Sequence, residues 1–158
     1  MASTKRKLDP QKEAKISPWL SESDYEVKSE ATDSYNCASW ALEITNRKWW
    51  PNARSKGYHW PINEHKETLD AFVEVYGTFG YTQCENATLE EGFEKLAIYT
   101  KQGIPVHVAR QLANGIWTSK CGWNWEDIEH ELDDIKDLMY GTVEIYMKRG
   151  RKLAADKA

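Results

Sequence analysis

The stretch LAIYTKQGIPVHVARQLANGIWTSK, residues 96–120, decides the fold. Residues 96–100, 105–112 and 116–120 are rich in β-branched and aromatic side chains, and Lys101-Gln102-Gly103 and Ala113-Asn114-Gly115 separate them. Short β-prone runs joined by glycine-bearing turns pair as antiparallel hairpins, so this stretch predicts a meander. Toward the C-terminus a short strand at 128–132 and a final one at 142–147 extend it. In the latter, Val143, Ile145 and Met147 alternate with Thr142, Glu144 and Tyr146, the period of a strand with one face in the core.

On the N-terminal side the period changes to that of helices. Ala38, Ala41, Leu42 and Ile44 recur at helical spacing behind Ser34 and Asn36, either of which can cap the start, so Cys37 falls in a first helical turn. Residues 49–61 carry Trp, Pro and Gly without a period and read as an ordered loop. Leu69, Phe72, Val73 and Tyr76 mark a second helix ended by Gly77 and Gly80. Thr88, with Glu91 three residues on, predicts a short third helix over 88–94 through a capping box. Residues 1–32, mostly Lys, Glu, Ser and Asp, read as a flexible arm pinned by Trp19 and Leu20, and residues 150–158 as a flexible tail. The expected architecture is α+β, a domain over 33–149 with helices first and an antiparallel sheet last.

The chain has 158 residues, 41% hydrophobic and 29% charged, which suits one globular domain. No apolar run approaches the roughly 20 residues that span a bilayer, and no apolar segment follows the charged N-terminus, so neither a membrane helix nor a secretory signal is expected. Cytoplasmic placement, or delivery by a dedicated export machine, follows. Cys37, Cys84 and Cys121 are an odd set without metal-type spacing and read as reduced thiols. The net charge of −4 argues against nucleic acid as a partner. His59 and His65 lack a Cys or carboxylate at ligand spacing, so no metal or other cofactor is expected. Asn86-Ala87-Thr88 matches a glycosylation acceptor, which matters only in a secreted chain.

Cys37 is the sharpest chemical feature. A helix start lowers a thiol pKa and presents unpaired N–H groups to an oxyanion. Such a nucleophile needs a base, and His107, on a strand, is the natural candidate. A two-residue turn at Asn114-Gly115 would bring Thr118 to the side of His107 to orient its imidazole, whereas a bulge would bring Ser119. Gln111 shares the His107 face, and His130 could return past the sheet edge.

The order Tyr35-Asn36-Cys37 opening a helix, then His107-Val108-Ala109 on a strand, then Asn114-Gly115 and a following strand, resembles the papain-like NlpC superfamily of cysteine peptidases and amidases. Across residues 33–149 the segments YNCASWAL, WWPN, YHWP, HVARQLANGIWTSKCG, IEHEL and YGTVEIYMKR are similar to an uncharacterised bacterial family. The resemblance implies a papain-like fold, Cys37 as nucleophile, His107 as base, and Thr118 or Ser119 in third place, where the superfamily usually carries His, Asn, Asp or Glu. The activity implied is a cysteine hydrolase or acyl transferase acting on an amide, isopeptide or thioester bond of a peptide, isopeptide or acyl substrate. Asn36, Trp40, Trp50, Trp60, Gln111, Trp117 and His130 are the expected substrate contacts. Trp49, Tyr58, Trp123 and Trp125 could wall the same groove or pack on the core. The alternative is a catalytically inactive module of the same fold that binds a protein or small molecule through its aromatic groove.

Overall fold

A computed structural model describes residues 5–51, 57–121 and 124–151. The meander forms as the hairpin turns demand: β5 (Phe93–Lys101), β6 (Ile104–Gln111), β7 (Trp117–Lys120) and β8 (Asp127–His130) follow one another as antiparallel neighbours. The chain then returns as β9 (Thr142–Gly150) along the outer side of β5. With β1 (Glu26–Val27) beyond β8 and β4 (Thr82–Cys84) beyond β9, a seven-stranded antiparallel sheet runs β1-β8-β7-β6-β5-β9-β4. A separate parallel pair, β2 (Lys48–Trp49) and β3 (Tyr58–His59), closes the described part of the Trp-rich loop.

The sheet is covered on both faces, and strand alternation sorts its side chains between two cores. Leu96, Ile98, Val108 and Met147 meet Trp49, Trp60, Phe72, Val75 and Tyr76 on one face. Ala97, Tyr99, Ala109, Trp117 and Ile128 meet Leu8, Ile16, Leu20, Tyr25, Ile135 and Tyr140 on the other. Helix α3 (Leu69–Gly77) covers the first face as its period predicts, with the Thr68 hydroxyl accepting the Ala71 N–H.

Four expectations are corrected. Residues 5–32 are no arm, 1–4 lying outside the described residues: α1 (Pro10–Ile16) is capped by Asp9, and Leu8, Ile16, Leu20, Tyr25 and Val27 are buried. Its five apolar anchors are few by composition, yet all point inward, and each completes a face that the sheet would otherwise leave wet. Of the tail, Gly150 ends β9 and Arg151 is ordered, while 152–158 lie outside the described residues. The helix at Cys37, α2 (Cys37–Trp40), is a single turn. Glu43 takes φ 62° and the Ile44 N–H returns to Ser39 O while the Glu43 N–H returns to Trp40 O, a Schellman ending that stops the helix before the periodic run of apolar residues is used up. The helix at 88–94 is absent, because Phe93 and Glu94 belong to β5. There the buried Glu94 carboxylate accepts from Arg149 Nε at 2.7 Å and from Arg151 at 3.4 Å, and this cross-strand ion cluster outweighs a local capping preference.

The fold is therefore mixed α/β with a large antiparallel sheet and three short α-helices among the described residues. They do not precede the sheet as a block, since β1 comes before α2 and helices lie on both faces. None is long and apolar enough to cross a membrane.

Candidate functional site

Asn36 builds the entrance to α2. Its Oδ1 accepts the Ser39 N–H and the Trp49 N–H at 3.3 and 2.9 Å, its Nδ2 donates to Trp49 O at 2.8 Å, and its own N–H donates to Ser39 Oγ. This side chain ties the helix start to β2 rather than facing a substrate. We expect Asn36→Ala to lose about 2 kcal/mol, from the missing cap and the stranded Trp49 groups, in urea denaturation. A loss below about half a kilocalorie would show that water takes over these bonds.

Helix α2 lies on the Val108 face of the sheet. Trp40 Nε1 donates to Thr118 Oγ1 at 2.9 Å, and the Tyr76 hydroxyl donates to Ala38 O at 2.8 Å. The thiol of Cys37 meets a backbone hydrogen bond from Val108 and the field of Lys120, both favouring thiolate, but burial dominates and pushes it up to about 11. Cys37 as a residue is half-buried. The ammonium of Lys120 lies 5.4 Å above the Tyr35 ring, and the Tyr35 hydroxyl donates to Asp127 Oδ2 at 2.7 Å. Burial lowers the Lys120 pKa and raises that of Tyr35 to about 12. Lys120, Asp127 and Tyr35 were not foreseen. The available signal was parity, because Lys120 shares the side of the strand that Thr118 presents to Trp40.

His107 faces the opposite way. It stands across from Tyr99 in the β5–β6 ladder and stacks on Tyr140 with ring centroids 4.0 Å apart, within the other core. Since adjacent residues of a strand point to opposite faces, contact of Val108 with the Cys37 side commits His107 to the far side. The expected Cys37–His107 pair is thus not assembled: a sheet separates its members.

What His107 meets is Ser119. The β6–β7 connection is a three-residue turn with Gly115 at φ 92°, so Gln111 pairs with Trp117 and Ser119, not Thr118, shares the His107 face. His107 Nε2 lies 2.8 Å from Ser119 Oγ, which lies 2.7 Å from His130 Nε2, and His130 Nδ1 is 2.7 Å from Glu131 O. A carbonyl accepts only, so His130 carries its proton on Nδ1, its Nε2 accepts the Ser119 hydroxyl, and Ser119 accepts from His107 Nε2–H. His107 Nδ1 is left a buried acceptor without a partner. Burial drives the His107 pKa well below its usual value and His130 down to about 4, so both imidazoles are neutral. All three side chains are buried, and of the three His130 lines a cleft of about 220 Å³, beside Asp24 and Glu129.

The aromatic groove is corrected too. Trp49, Trp60 and Trp117 are core residues. Trp50 packs edge-on against Phe72 and donates to Glu67, Trp60 donates to Glu64 O, and Trp40 sits between Tyr35 and the Arg110 guanidinium. Trp125 bridges to Thr32 beneath Lys12, and Trp123 lies outside the described residues. Cys84 is half-buried on β4 and Cys121 is in the core. Among the described residues no cluster of three or more His, Cys, Asp or Glu side chains could hold a metal.

Open surface lies elsewhere, on the His107 face beyond Gln111. Two adjoining clefts of about 490 and 440 Å³ share Leu89, which is 46% exposed and packs over Gly115 of the turn. The first also holds Phe93, Ala113 and Arg151, the second Gln111, Trp117, Glu131, Asp133 and Tyr146. Of the expected contacts, Gln111 and Trp117 line the second cleft, both of them buried.

A mixed α/β domain with a large antiparallel sheet, a thiol under one face and a histidine–serine–histidine chain under the other, is the class these observations define. The chain belongs to DUF7689, a domain of unknown function, whose family model matches residues 26–148. No curated protein and no solved structure gives a match.

Proposed function

We propose that this domain is a catalytically inactive binding module, a divergent papain-like arrangement in which the helix-borne cysteine still packs on the sheet but no longer works as a nucleophile. One observation carries the reading: the Cys37 thiol and the His107 imidazole lie on opposite faces of the sheet, with the thiol held protonated and the imidazole engaged by Ser119. Hydrolysis or acyl transfer through this pair would need the reverse of both. The partner, a peptide, is taken along the paired clefts that meet at Leu89. The three free thiols suit a reducing compartment.

The test is the rate of Cys37 alkylation by iodoacetamide against pH, read by mass spectrometry, in the wild type and in His107→Gln. A slow reaction at pH 6 that rises only in the alkaline range, identical in both proteins, is the expected result. A plateau reaching down to about pH 5 and lost in His107→Gln would establish a thiolate–imidazolium pair and restore the hydrolase.

A further inference from the structure

The cleft between the β6–β7 turn and the 3-10 turn at Leu132–Ile135 has an uneven chemistry. Its only charged lining residues are Glu131 and Asp133, both acidic. The Glu131 carboxylate is fixed by the Asp134 N–H, while that of Asp133 is exposed and engaged only by Lys136 at 3.7 Å. Behind them stands Gln111, 2% exposed, whose Nε2 donates to Ala87 O at 2.9 Å. A carbonyl must be met by the amide nitrogen, so the orientation of this side chain is settled and Oε1 is turned away from Ala87. Oε1 is a buried acceptor without a partner. Buried acceptors in native proteins are nearly always satisfied, and Gln111 lines this acidic cleft, so a donor entering from the cleft would complete the bonding of Oε1.

We propose that this cleft seats the guanidinium of an arginine side chain in a peptide partner. The cleft offers the two carboxylates and the Gln111 amide oxygen as acceptors, and the partly buried Tyr146 supplies aromatic surface. Guanidinium is the cation that matches such a set, since its planar fork of donors serves carboxylates and an amide oxygen together and its face stacks on rings, which an ammonium does less well. The adjoining cleft at Leu89 and Phe93, 46% and 38% exposed, offers the neighbouring peptide residue an apolar floor.

The inference rests on the binding reading above, and the two fail separately: fast Cys37 alkylation at pH 6 would overturn that reading, whereas the outcomes below concern the cleft. The experiment is a titration of the full chain, labelled with 15N, with N-acetyl-arginine amide, N-acetyl-lysine amide and N-acetyl-citrulline amide, following backbone amide shifts. Saturable shifts centred on Gly115, Trp117, Leu132 and Asp133 are expected for the arginine probe. The neutral citrulline probe, an isostere, should bind about tenfold more weakly, and Asp133→Asn, an exposed change that leaves the core intact, should weaken arginine severalfold. Equal binding of citrulline, equal binding of lysine, an unaffected Asp133→Asn, or arginine shifts absent from these residues would each overturn the assignment.

Discussion

Lowering the pH from 6.5 to about 5 should remove about 3 kcal/mol of folding stability, half of it from each of His107 and His130. In the folded chain both imidazoles are neutral, their pKa values depressed by burial, with His130 near 4 and His107 also well below 6.5. Unfolded, each titrates near 6.5. Above that pH neither state binds the proton and the pair contributes no pH dependence. Below it the unfolded chain takes up protons that the native chain refuses, so stability falls by about 1.4 kcal/mol per pH unit for each histidine until the folded pKa is reached. Protonating His130 also breaks the chain of donors, because its Nε2 must accept from Ser119 and an imidazolium cannot. Urea denaturation at pH 7.5, 6.5, 5.8 and 5 measures the slope before most carboxylates titrate. The double variant His107→Gln/His130→Gln, less stable at neutral pH, should lose most of that slope. A wild-type stability flat between pH 6.5 and 5 would show that water already reaches these rings.

Gly141→Ala should cost about 3–5 kcal/mol, a fall in Tm of roughly 10 °C or more for a domain of this size. A Cβ on Gly141 would stand 2.0 Å from the Thr100 carbonyl oxygen and 2.9 Å from its carbon, and the position has φ 63°. Backbone cannot yield as a flexible side chain does. Gly141 opens β9 against the end of β5, where Thr142 pairs with Thr100, and it follows Tyr140, the ring stacked on His107. The substitution therefore strains the last strand and lifts the lid from the histidine chain at once. Thermal unfolding followed by circular dichroism reads the loss, and a Tm within about 2 °C of wild type would mean that the β5–β9 junction shifts at little cost.

The meander was legible because its signals are local. Alternating β-branched residues and the Gly103 and Asn114-Gly115 turns place β5, β6 and β7 within a few residues of where they occur, and the spacing of Leu69, Phe72 and Tyr76 likewise places α3. The N-terminal segment is not legible from composition, which averages over residues, whereas burial depends on which few are apolar: Leu8, Ile16 and Leu20 suffice to join the core. The candidate site failed for a different reason. Cysteine before a helix and histidine on a strand are both present, but nothing in their spacing says on which side of the sheet the helix lands.

By itself the sequence determined an antiparallel meander, a capped turn beginning at Cys37, and an even-odd division of each strand into two faces. Only the tertiary structure decided which core each face joins. Helix α2 settles over Val108 and Lys120, leaving His107, Ser119 and His130 to the N-terminal segment and Tyr140. The choice is made by the packing of Ala38, Ala41, Phe72 and Tyr76 against Ile98 and Val108, contacts between residues far apart in the chain, whose apolar area no local pattern records.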